Sequence, residues 1–352
     1  MYPSNASHRK HEAELRRELP QQAAQFPPQL TTKGEVTVVR YVAKRLLISS
    51  IVLILVTIFT FTIVQLAPGG PEILMDETLS ESDREALRES LGLNEPIPVQ
   101  YIRWFMNLIQ GNMGVSFSEK TAVSDMLIQR IPNTLLLSVT ALILASLVGI
   151  PLGIYSAYRP NSPLDYGLSF ISMVGLSVPA FWFAIVLIIA FSVNLGILPS
   201  SGMYSVGMER TLPDLMKHML MPAFVSMLSP LAQIVRYTRS SVLEVLNLDY
   251  IRTAKAKGMT ERRVLFFHAL KNSLIPVITA IGLMLPHLVG GSVIVEKIFA
   301  WPGMGRLIAD AAFKRDYPVV MGATFIVALI VIGVNLLIDI IYGFLNPKIR
   351  LE

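Results

Sequence analysis

The chain reads as an all-α polytopic membrane protein with six transmembrane helices, and three observations predict it. Of 352 residues, 53% are hydrophobic and only 16% charged, where soluble chains carry about 25% charged residues. Mean hydropathy is +0.55. Apolar stretches of about 20 residues recur along the chain, each long enough to cross a hydrocarbon core of about 30 Å.

Residues 1–39 are polar, contain Pro3, Pro20, Pro27 and Pro28, and offer no apolar core. They read as a disordered cytosolic tail and not as a signal peptide. The first span is Leu46–Leu66, behind Arg40, Lys44 and Arg45. The others fall at about 133–155, 167–195, 215–235, 276–295 and 319–344. Pro179, Pro222, Pro230 and Pro286 lie inside spans, where neighbouring helices can re-satisfy the freed carbonyls.

Between the first two spans, Ile102, Phe105, Met106 and Ile109 make one apolar helical face. Tyr101 and Trp104 beside it are the amphipathic aromatics favoured at membrane interfaces. After the turn Gly111–Gly114, Val123, Met126, Leu127 and Ile131 repeat the pattern. Two helices lying on the outer face are expected, with Pro132 opening the second span. The organisation is then a tail (1–39), a first span with its outer segment (40–131), a core of spans two to six (132–345) and a cytosolic end (346–352).

Loop charge orients the chain. With the N-terminus in the cytosol, the inner segments 1–45, 156–166, 236–275 and 345–352 hold 19 of the 30 Lys/Arg. The outer segment 68–132 holds five Lys/Arg against ten Asp/Glu. Both termini are expected inside, because basic loops stay cytosolic. The net charge of +5 follows this sidedness and is no nucleic-acid signal.

Catalytic chemistry is missing from the pattern. There are no cysteines and no G-x-x-x-x-G-K-[ST] loop to cradle a nucleotide. Only His8 and His11, in the tail, are spaced as a pair. No metal, no bound cofactor and no enzymatic activity are expected of this chain. Polar candidates at membrane depth are His287, Asn335 and Asp339. The first two are candidate pathway residues, and Asp339 is placed to pair with Lys348 or Arg350. So few buried charges suit a pathway powered by another chain; an ion-coupled secondary carrier or channel is the alternative.

The stretch between the fourth and fifth spans is unusual. Arg236–Lys271 holds eight Lys/Arg against Glu244, Asp249 and Glu261. Ala254 and Ala256 are small enough for close approach to a partner, and Gly258 suits a left-handed turn. Thr260 is a candidate N-cap for a helix Glu261–Lys271, with Glu261 at its positive end. Arg252, Thr253, Lys255, Lys257 and Met259 complete a segment shaped to be gripped.

Six ordered motifs carry a family resemblance over residues 40–352: Leu66-Ala-Pro-Gly-Gly-Pro71, Leu91-Gly-Leu-Asn-Glu-Pro-Ile-Pro-Val-Gln-Tyr101, Gly114-Val-Ser-Phe117, Asp249-Tyr-Ile-Arg-Thr-Ala-Lys-Ala-Lys-Gly258, Phe299-Ala-Trp-Pro-Gly-Met-Gly305 and Arg315-Asp-Tyr-Pro318. The chain resembles the first permease subunit of ABC importers of the peptide/nickel (dipeptide/oligopeptide) branch, with a type I, MetI-like fold. The resemblance implies a bacterial inner-membrane subunit forming half of a peptide pathway. It implies a homologous second permease, two cytosolic ATPase subunits that use ATP and Mg, and an extracytoplasmic binding protein. The basic loop would carry the "EAA" coupling motif, with Arg252, Thr253 and Ala254 at the E-A-A positions and only the second alanine kept. Trp301, Pro302 and Gly303 would form a turn, or an outer gate or receptor contact.

Overall fold

The computed structural model describes residues 32–66, 80–90, 92–289 and 293–345. Of the tail expected at 1–39, residues 1–31 lie outside the described residues, as do the motif residues 67–71, Leu91 and the end 346–352, whereas 32–39 are helical and continue into the first span. Ser49–Leu345 forms one compact unit, to which everything below belongs; residues 1–48 with 346–352 form a second, described only as the first part of α1.

The described chain is helical. In order come α1 (Thr32–Leu66), α2 (Glu81–Ser90), α3 (Ile97–Ile109), α4 (Val123–Tyr158), α5 (Pro163–Ser177), α6 (Ala180–Leu187) and α7 (Leu212–Leu246). Then follow α8 (Asp249–Ala256), α9 (Glu261–Arg263), α10 (Leu270–Val289), α11 (Val293–Ile298), α12 (Met304–Phe313) and α13 (Tyr317–Leu345). π-helical turns extend α6 through Ile188–Asn194 and join α9 to α10 through Val264–Ala269. Five helices are long and apolar enough to cross a membrane, or six if α5 and α6 make one bent span.

The span expected at 167–195, with Pro179 tolerated inside it, is broken at that proline. α5 and α6 meet at 101°. Val178 (φ −73°, ψ 123°) and Pro179 (φ −61°, ψ 127°) are both extended, because proline drives the residue before it out of the helical region. A second correction concerns the outer segment. Val123, Met126 and Leu127 do not form a separate surface helix, since α4 runs unbroken from Val123 and Pro132 lies inside it. Their apolar face packs on Met304, Leu307, Ala311, Val319 and Ala323 of α12 and α13.

The principal packing is α4 against α7. Gly149 and Gly153, one turn apart on α4, let the helices touch: a Cβ would stand 2.9 Å from Ile234 Cγ2 at Gly149 and 2.6 Å from Thr238 Cβ at Gly153. Small residues at this spacing are the usual device for close helix contact in lipid, where dispersion replaces the hydrophobic drive. α7 continues to Leu246 and the next helical rod begins at Glu261, so most of the segment 236–275, expected as a loop, is helix continuous with the candidate spans Leu212–Leu246 and Glu261–Pro286.

Candidate functional site

Only a short piece of the 236–275 segment stands apart from the long helices, and that piece is α8. Its Ile251 and Ala254 point inward and are buried with Ala157 of α4, Val242 and Val245 of α7, and Val264, Leu265 and Ala269 of the following rod. Arg252, Thr253, Lys255, Ala256 and Lys257 are exposed on the other side. Ala254 therefore serves the chain's own core and is not the close-approach surface expected from the sequence. Arg252 reaches Asp249 at 3.5 Å, with both side chains in solvent, a pair of little energetic weight.

The end of α8 is closed by backbone geometry. Gly258 sits at φ +78°. Its N–H donates to Lys255 O at 2.9 Å, and Met259 N–H donates to Ala254 O at 3.3 Å. This paired closure is the Schellman pattern, in which a left-handed residue satisfies the last carbonyls. Met259 packs against the same buried cluster as Ala254. Thr260 occupies the N-cap position of α9 in extended conformation, but its side chain makes no capping bond. Across α8, the Tyr250 hydroxyl accepts from Asn272 Nδ2 at 2.9 Å, and Ser241 Oγ donates to Ser273 O at 2.7 Å between α7 and α10.

Just above α8 lies an ion pair that sequence reasoning missed. Arg239 of α7 donates from Nε and Nη2 to the two carboxylate oxygens of Asp165 at 2.7 and 2.8 Å. Asp165 is 2% exposed. It also accepts from the Ser156 hydroxyl and from Asn161 N–H. A bidentate guanidinium–carboxylate fork fixes orientation as well as distance, so the α4–α5 turn is locked to α7. Nothing in a lone Asp and Arg 74 positions apart signals this. Phe266 and Phe267, exposed on the π-helical turn, were likewise unremarked.

At the opposite end of the bundle, separate motifs meet. The Asp316 carboxylate accepts from Ser116 Oγ (2.5 Å), Phe117 N–H (3.1 Å) and Ser118 N–H (3.1 Å), joining Gly114–Phe117 to Arg315–Pro318. Trp301 is fully buried, and its indole N–H donates to Asn133 O at 2.9 Å. Glu296, also fully buried, accepts from Thr134 Oγ1 at 2.8 Å and from Arg306 N–H at 2.9 Å. Loss of water around it raises its pKa against those donors. A Cβ on Gly303 would fall 2.5 Å from that carboxylate and from Thr134 Oγ1. Trp301 and Gly303 are thus internal knots and offer no receptor-facing surface. Pro302 is half-exposed and lines a polar cavity of about 830 Å³ with Arg130 and Arg210.

Asn335 is exposed on α13. His287 belongs to α10, but its side chain lies outside the described residues. Asp339 is half-buried on α13, and Lys348 and Arg350 lie outside the described residues. No group of three His, Asp or Glu able to hold a metal occurs among the described residues.

Two family models cover the chain. One described as "Binding-protein-dependent transport system inner membrane component" matches residues 149–351, and an N-terminal companion matches 38–138. The oligopeptide transport system permease protein AppB of Bacillus subtilis is 49% identical over 312 residues, covering 88% of this chain and 99% of that one. The dipeptide transport system permease protein DppB of Escherichia coli K12 is 39% identical, covering 84% of this chain and 94% of its own. Among solved structures, an inward-facing MetNI methionine ABC transporter aligns with a TM-score of 0.50 at 18% identity, covering 63% of this chain and 96% of that one, which speaks to fold alone.

Proposed function

Because the chain belongs to the family of binding-protein-dependent transport system inner membrane components, we propose that it carries peptides as one half of a paired pathway and couples to ATPase chains through α8. It is a transmembrane permease subunit of an ABC importer. The peptide reading rests on relatives named as oligopeptide and dipeptide permeases.

The observation that carries the coupling reading is the two-sidedness of α8. Ile251 and Ala254 root it in the ends of α4, α7 and the following rod. Arg252, Thr253, Lys255, Ala256 and Lys257 face away from the chain. A short helix rooted this way transmits a push on its outer face into three long helices, since packed interiors transmit strain. The Asp165–Arg239 fork extends the rigid block to α5. ATP and Mg are bound by the partner ATPases, and this chain holds no cofactor.

The remaining assembly follows the same reading: a homologous second permease, two ATPase subunits and an extracytoplasmic binding protein, with both termini cytosolic. A cysteine in place of the exposed Asn112 is then labelled only from the extracytoplasmic side. Asn335 supports a pathway role, because an amide facing hydrocarbon is costly and one facing a water-filled path is not; His287 is assigned with it. The test is the assembled complex in vesicles with its binding protein and a panel of di- to pentapeptides. Peptides are expected to stimulate ATP hydrolysis and accumulate. Accumulation driven by an ion gradient without ATP overturns the reading.

A further inference from the structure

The connector that leads into α7 is held at both ends. Gly202 N–H donates to Phe299 O at 2.8 Å, and Met203 packs against the cluster around the buried Trp301. Further on, the Asp214 carboxylate in the first turn of α7 accepts from Ser205 N–H and from Ser205 Oγ, both at 2.7 Å. The stretch from Met203 to Arg210 thereby walls the polar cavity of about 830 Å³, together with Gln129, Arg130 and Asn133 of α4.

The lining is cationic. Arg130 and Arg210 both belong to it, and no Asp or Glu does. Neither guanidinium makes an ion pair or a hydrogen bond among the described residues. Asp214 is engaged with Ser205, and Glu209 is exposed outside the lining. Arg210 is exposed and sits over the Tyr204 ring, 5.6 Å from its centroid. A guanidinium with no partner matches a carboxylate in charge and in geometry. The rest of the wall is adaptable: Met203 and Met208 line it too, and methionine is the flexible, polarizable side chain found where one surface meets many partners.

We propose that this cavity receives the carboxylate end of a short peptide, with the terminal carboxylate on Arg130 and Arg210 and the last side chain against Met203 and Met208. The proposal rests on the peptide reading above. A free C-terminus is what short peptides of any sequence share, while their side chains differ. Fixed cations beside yielding methionines divide the cavity in the same way. Its volume lies within the roughly 300–1,000 Å³ usual for small-ligand sites. Arg130 belongs to α4, whose far end at Ala157 is buried with Ile251 and Ala254 of α8, so an occupant here touches a helix in which α8 is rooted.

The test uses the assembled complex without its binding protein. The probe is a tripeptide of two alanines and a C-terminal photoleucine, as the free acid and as the C-terminal amide. After irradiation, peptide mapping should place adducts of the free acid in 203–210 and 129–133. Amidation should cut them about tenfold, the scale of one hydrogen bond between charged groups. Arg130→Gln combined with Arg210→Gln should cut free-acid labelling at least as far, and Lys314→Gln, an exposed cation outside the cavity, should change nothing. Equal labelling by acid and amide overturns the proposal, as does displacement by acetate as effective as displacement by trialanine. If the double variant fails to assemble, the acid–amide comparison in wild type decides alone. Labelling is read without transport. Wild-type complex that labels here yet accumulates no peptide would sink the transport reading and support the site, whereas transport without carboxylate-dependent labelling sinks the site alone.

Discussion

Gly258 allows the coupling reading to be tested by dihedral angle alone. Its φ is +78°, and no heavy atom stands within 4 Å of where a Cβ would be. Any cost of substitution is therefore backbone strain, without a steric part from this chain. An L-residue in this region costs about 1–2 kcal/mol, with Asn accommodated most readily. A β-branched residue reaches roughly 3 kcal/mol. The strain falls on the two bonds that close α8, to Lys255 O and Ala254 O, and is relieved by opening the last turn that carries Lys255, Ala256 and Lys257. Expected losses of uptake and of retained ATPase thus run Gly258→Asn, then Gly258→Ala, then Gly258→Val, with membrane levels of the chain unchanged. The readouts are immunoblot of membranes, ATPase co-purification and labelled-peptide uptake. Asn as damaging as Val would show that a partner contacts the missing side chain and that the dihedral is not what matters. Full uptake in all three would refute the claim that the end of α8 sets coupling.

Three further outcomes follow from the geometry. Lys255→Glu with Lys257→Glu, both on the exposed side, should leave insertion intact and weaken ATPase binding, whereas Ala254→Arg enters the buried cluster and should lower the amount of folded chain; comparing sizing profiles of the two separates surface from core. Asp165→Asn strips the fork from Arg239, which is still 31% exposed, so the loss should be about 2 kcal/mol, below the roughly 3–5 of a fully buried pair; the double change Asp165→Asn, Arg239→Gln should recover part of it in thermal melts. Because burial raises the Glu296 pKa above its ordinary value of 4.5, its contribution to stability is full below that value and is lost as pH rises through the raised pKa. Glu296→Gln should abolish that part of the pH dependence, and identical melting curves against pH for variant and wild type would contradict it.

Much of this architecture was legible because lipid makes the pattern stark: apolar runs of the right length locate the spans. The left-handed Gly258 was legible too, as a glycine placed where a short helix must stop. What escaped was three-dimensional pairing. Asp165 and Arg239, Ser116 and Asp316, and Thr134 and Glu296 are joined only by helix packing, and no local spacing encodes them. Ala254 was misassigned to the partner side because a small residue suits a close contact with either neighbour. Only the register of α8, with Ile251 three residues before it, shows which face is inward. The break in the third span escaped because a proline inside a span is read as tolerated, while the effect of Pro179 on Val178 breaks the helix outright.

The central claim, that α8 is where the ATPase grips this chain, is tested most directly at Ala256. The chain has no cysteine and Ala256 is exposed, so Ala256→Cys gives a single reporter. In the assembled complex, the account predicts strong protection of this thiol from a soluble maleimide and crosslinking to an ATPase subunit, with protection lost when the ATPases are stripped. Equal labelling with and without the ATPases, and no crosslink, would contradict it.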